Sequence, residues 1–77
     1  MEVERLSELI NYVRVLRARD RLSQQELAQR IGASRQTIAL IERGDYSPSV
    51  VLALKIAEVF KVKVEDIFSI QTEEREF

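Results

Sequence analysis

The chain contains neither cysteine nor histidine among its 77 residues. That excludes a disulfide framework, a thiolate nucleophile and any Cys/His metal set, and it leaves the redox compartment open. No stretch approaches the ~18 apolar residues that a membrane span requires. The chain does not open on a basic segment followed by an apolar run either, so a soluble, cytoplasmic protein with no membrane partner is expected. Breaking residues are equally scarce, with two glycines and one proline, and interruptions fall at a few places only.

What is present is an ordinary globular composition, 45% apolar, which argues against disorder. A chain of this length reads as one domain, 1–77, burying only about 60% of the surface its unfolded form exposes. So thin a core calls for efficient packing or a second subunit, and a homodimer is the expectation.

The net charge of -1 is unlike that of a nonspecific nucleic-acid binder, but its distribution is uneven. From Arg14 to Arg43 seven arginines face three acids, a local charge of +4, while the remainder holds five bases and ten acids, or -5. Such a split suits a chain that meets phosphate with its middle and keeps acidic ends. The alternative at this point is a set of solvated helix faces.

Leu6, Leu9, Ile10, Val13 and Leu16 recur at helical spacing and predict a first helix over about residues 4–19. Ser23-Gln24-Gln25-Glu26 fits a capping box, and Leu27, Ala28 and Ile31 form the inner side of a short second helix that Gly32 ends. A two-residue linker, Ala33 and Ser34, leads into a third helix, 34–42 counted from Ser34 as its cap, with Ile38 and Ile41 inward and Gly44 closing it. After the turn Gly44-Asp45-Tyr46-Ser47-Pro48, Ser49 caps a fourth helix whose apolar run, Val50, Leu54, Ala57, Val59 and Phe60, reads as core. Val64 to Phe68 predicts one last helical turn, with Lys63 a poor cap, and residues 69–77 read as an acidic tail that frays or joins a subunit contact. Leu6 and Leu9 either cover the edge of the core or bind a second subunit. Glu73, Glu74 and Glu76 lack the spacing of a metal site.

The informative stretch is 24–43. Two short helices joined by a glycine turn must cross steeply, and Ala28, four residues before Gly32, supplies the small residue where they approach. Here the run LSQQELAQRIGASRQTIALIERG resembles the phage-repressor and Cro type of helix-turn-helix, the XRE family, and the likeness extends over about residues 8–68. The resemblance implies an all-α, five-helix lambda-repressor-like domain and a DNA-binding regulator of transcription.

With Ile38 and Ile41 inward, Arg35, Gln36, Ala39 and Leu40 are left as candidate base readers on the third helix, which fits the major groove. Arg35 suits guanine and Gln36 adenine, each bidentate, whereas Leu40 can touch a thymine methyl or pack on Tyr46. Ser23, Gln24, Thr37 and Arg43 are the candidate phosphate contacts, although Asp45 is unhelpful beside Arg43. The resemblance further implies that Arg17 of the first helix pairs with Glu42 and fixes the angle of the reading helix.

The function expected is a sequence-specific regulator, a repressor acting as a symmetric dimer on a palindromic operator in double-stranded DNA. The alternative is a protein-interaction module such as the antitoxin of a toxin-antitoxin pair, with DNA binding secondary. An enzyme is remote, since the acids lie at helix starts or in the tail. No cofactor, metal or small-molecule ligand is expected.

Overall fold

The computed structural model describes the backbone of residues 4–75 and the side chains of residues 9–71. Along the chain run β1 (Glu4–Asn11), α1 (Val13–Asp20), α2 (Gln24–Ile31), α3 (Arg35–Arg43), α4 (Val50–Phe60), α5 (Val64–Ile67) and β2 (Phe68–Arg75). Five helices form the body, and the strands add a small antiparallel ribbon.

Serine hydroxyls start three of these helices by accepting the amide three residues on. Ser23 Oγ takes Glu26 N–H at 3.0 Å, Ser34 Oγ takes Thr37 N–H at 3.1 Å and Ser49 Oγ takes Leu52 N–H at 3.1 Å. The Glu26 carboxylate reaches back to the Ser23 N–H at 2.9 Å, completing the capping box. At α5 the lysine contributes nothing through its side chain, and the Asp66 carboxylate accepts the Lys63 N–H at 3.0 Å instead.

The core gathers Val13 from α1, Leu22, then Leu27, Ala28 and Ile31 from α2, Ile38 and Ile41 from α3, Ile56, Ala57 and Phe60 from α4, and Ile67. Each helix thus commits one stripe to a common interior, as amphipathic spacing demands.

Three expectations are corrected. The first helix begins at Val13, and residues 4–11 are strand β1. Leu6, Leu9 and Ile10 match helical spacing, but Asn11 breaks the run by keeping the local backbone for itself. Its Oδ1 accepts the Val13 N–H at 3.2 Å, and its Nδ2 donates to the Ile41 carbonyl at 2.9 Å, pinning the start of α1 to the end of α3.

The tail is not frayed through 75, since β2 pairs with β1 in a register running from Glu4↔Arg75 to Asn11↔Phe68. A Tyr12 N–H bond to the Ile67 carbonyl at 2.9 Å extends that ladder into the body. At the base of the ribbon Phe68 packs against the core, while Leu9 and Ile70, opposite one another, are both exposed. The side chains of Leu6, Glu73, Glu74 and Glu76 lie outside the described ones.

Thirdly, Val50 and Leu54 are 75% and 54% exposed, so the core stripe of α4 is Ala53, Ile56, Ala57 and Phe60. One helix of eleven residues can bury only one face, and its apolar run is wider than that face.

Candidate nucleic-acid interface

The unit α2–turn–α3 is positioned by its own sequence. Gly32 ends α2 at φ 72, ψ 31, the left-handed conformation that glycine adopts freely, and the Ala33 N–H returns to the Ala28 carbonyl at 2.9 Å. Ala28 is fully buried at the approach of the two helices, and Leu27, Ile31, Ile38 and Ile41 line the contact. Because these residues face inward, the opposite side of α3 is turned to solvent.

On that side Arg35 and Gln36 are exposed, adjacent, and clear of the core. Ala39 and Leu40, one turn later, are half-buried, which limits both to apolar contact. Thr37 is half-buried as well, and its hydroxyl is 2.8 Å from Ser34 Oγ, so it shares in the cap of α3. Ser23 is exposed at the head of α2, where free amides and the positive helix end favour an anion.

Behind this surface lies a polar cluster around Glu42, whose side chain is 1% exposed. Arg17 grips it with two prongs, Nε to Oε2 at 2.5 Å and Nη2 to Oε1 at 3.0 Å, and sends Nη1 to the Leu22 carbonyl at 3.0 Å. Gln24 Nε2 donates to Oε1 at 3.0 Å, while Gln24 Oε1 accepts from Arg35 Nη1 at 3.5 Å. One carboxylate therefore ties α1, α2 and α3 together. Gln24 is held at both ends and keeps one amide hydrogen to donate outward.

Burial pushes the Glu42 carboxyl up, but the hydrogen bonds from Arg17 and Gln24, with the charge of the nearby arginines, hold it below the ordinary carboxylate value. Arg17 is shifted the opposite way, upward, chiefly by its hydrogen bond to Glu42. The buried pair is therefore fully ionised at neutral pH.

Arg43 is exposed at the end of α3, but its Nε and Nη2 both rest on Asp45 Oδ2, at 3.0 and 2.7 Å. An exposed pair of this kind is worth ~0–1 kcal/mol, so phosphate can compete for the guanidinium against a local charge of zero. Reasoning on sequence missed two contributors. Asn11 is visible as a helix-start residue type directly before Tyr12 and Val13. Arg14, 3.6 Å from Glu42 Oε1, carries no signal beyond being one of the seven arginines between positions 14 and 43.

A family model described as helix-turn-helix matches residues 13–67, the five helices without the ribbon. The chain is 51% identical over 63 residues to the uncharacterized HTH-type transcriptional regulator YgzD of Bacillus subtilis, covering 82% of this chain and 96% of that protein. It is 50% identical over 64 residues to the HTH-type regulator MJ0272 of Methanocaldococcus jannaschii, covering 83% and 97%. Among solved structures, the restriction-modification controller protein C.AhdI of Aeromonas hydrophila superposes with a TM-score of 0.66 at 33% identity, over 70% of this chain and 82% of that one. The clp gene regulator ClgR of Corynebacterium glutamicum also gives 0.66, at 26% identity, over 70% of this chain and 57% of that one.

Proposed function

Since the chain belongs to the XRE-type helix-turn-helix family of transcriptional regulators, we propose that it is a sequence-specific repressor working as a symmetric dimer on a palindromic operator in the cytoplasm. The observation carrying this reading is the exposed Arg35–Gln36 pair at the head of α3, held on a helix whose opposite face is locked into the core. A helix about 10 Å across enters the major groove, where arginine discriminates guanine and glutamine discriminates adenine by about 1–3 kcal/mol each. Ala39 and Leu40 supply apolar contact to base edges. Ser23, Gln24, Thr37 and Arg43 meet phosphates, and Arg17 with Glu42 sets the angle of α3. Two copies related by a two-fold axis place their reading helices one DNA turn apart, about 34 Å.

Selection of bound duplexes from a random pool, followed by salt titration of the winner, tests this. A palindromic consensus with affinity falling steeply as salt rises is the expected outcome. A non-palindromic winner removes the dimer, and equal weak binding to every duplex favours the interaction module instead.

A further inference from the structure

Helices α2 and α3 end on glycines, but α1 and α4 end on cations. Arg21 closes α1 at φ 57 and Lys61 closes α4 at φ 58, and they are the two non-glycine residues in the left-handed region among those described. Glycine takes that conformation without the clash a Cβ brings, so each position gives up stability to carry a charge. The two helix ends meet at Arg19. Its Nε and Nη2 donate to the two Asp20 carboxylate oxygens at 2.8 and 3.1 Å, and Nη2 also donates to the Phe60 carbonyl at 2.8 Å. Asp20 precedes Arg21 and Phe60 precedes Lys61, so this one guanidinium brings the two left-handed cations together.

Arg30, in the last turn of α2, joins them. The Asp20 carboxyl is held below its ordinary value first by the Arg19 hydrogen bond and then by the charges of Arg19, Arg30 and Lys61. One carboxylate thus sits among four cations, and Arg19 occupies it. Arg21, Arg30 and Lys61 are exposed, and no side-chain hydrogen bond or ion pair among the described residues engages them. The cluster also faces away from the reading helix. Arg17 and Arg19 stand two residues apart, about 200° around α1, so the side of α1 that grips Glu42 is opposite the side that reaches the end of α4. A local rule broken at two caps that end up side by side marks residues kept for another purpose. We propose that Arg21, Arg30 and Lys61 form a docking surface for an acidic segment of a partner protein, separate from the DNA-reading face. The arginine forks suit carboxylates bidentately, and the lysine adds a mobile point charge.

The test is fluorescence anisotropy with a labelled oligoglutamate peptide, and an oligoglutamine peptide of equal length as control. A polyanion can also enter the DNA face, so binding is measured on the free protein and on protein saturated with an unlabelled random-sequence duplex. Wild type should bind oligoglutamate in both states and oligoglutamine in neither. The double variant Arg21→Gly with Lys61→Gly removes two exposed ion pairs and should bind oligoglutamate roughly 2- to 30-fold more weakly. It should keep its affinity for the duplex and melt no lower than wild type, since glycine suits both caps. Arg30→Gln, with no left-handed constraint, should weaken the peptide alone. Absence of oligoglutamate binding by the wild type overturns the proposal. Displacement of the peptide by duplex, or a loss of duplex affinity in the double variant, also overturns it and assigns these cations to the DNA backbone. A double variant that melts lower and binds the peptide as wild type does overturns it too, leaving the cations as partners of the α1 and α4 dipoles.

Discussion

Replacing Glu42 by alanine is the most demanding perturbation the structure suggests. The substitution removes the acceptor of three hydrogen bonds, two from Arg17 and one from Gln24. It leaves the Arg17 side chain, only 16% exposed, with the Leu22 carbonyl as its remaining partner. Breaking a buried pair on one side costs about 3–5 kcal/mol, and the surviving carbonyl bond with some access to water places this case at the low end, about 3 kcal/mol. A chain of this size has a total stability of about 4–12 kcal/mol, so the loss is a large fraction of it. At about 4–8 °C per kcal/mol, circular-dichroism melts at fixed protein concentration should show Glu42→Ala falling by roughly 12–24 °C. The double variant Arg17→Met with Glu42→Leu removes both charges and fills the space, and should regain most of the loss while DNA affinity stays low, since Gln24 has still lost its anchor. A Glu42→Ala protein melting within about 4 °C of wild type, less than 1 kcal/mol, would refute the reasoning.

Acid should expose the same group. Because the folded-state value of Glu42 lies below its ordinary 4.5, the folded protein binds fewer protons than the unfolded chain between the two, and the stabilisation is complete above 4.5 and lost as pH falls through the folded value. Thermal melts should therefore decline more steeply below 4.5 in wild type than in Glu42→Gln, and parallel curves would exclude the assignment. Gly32→Ala adds a Cβ with no atom within 4 Å, so its cost is backbone conformation alone, about 1–2 kcal/mol; a far larger drop in melting temperature would reveal a clash. Asp45→Asn frees Arg43 and should strengthen binding to every duplex alike by up to about fivefold. Arg35→Ala should instead flatten preference at one base pair by about tenfold or more, read by competition between operator variants; equal losses from operator and random DNA would contradict its role.

What could be read in the residues came from signals a few positions long. Ser23 with Glu26, Ser34 and Ser49 mark helix starts because each cap closes within three residues, and Gly32 marks an end because its φ of 72 is a local requirement. Leu27, Ile31, Ile38 and Ile41 are recognisable as core because a helix repeats every 3.6 residues. The Arg17 and Glu42 roles came from family resemblance, and no spacing links two residues 25 apart. Arg43 shows the limit of counting charges: Asp45 lies two positions away in plain view, but only coordinates put one of its oxygens on two of the three guanidinium nitrogens.

Caps, turn, inner stripe and the outward Arg35–Gln36 pair were therefore determined by the residue order alone, since the forces that set them act within one helical turn. Tertiary structure decided where α1 begins, which half of the α4 apolar run is buried, that residues 4–11 find their partner at 68–75, and that three polar side chains from two helices, Arg14, Arg17 and Gln24, converge on the Glu42 carboxylate of a third. Each of these depends on what packs opposite a segment. A strand edge, a helix face and a buried charge all have free energies set by a neighbour distant along the chain.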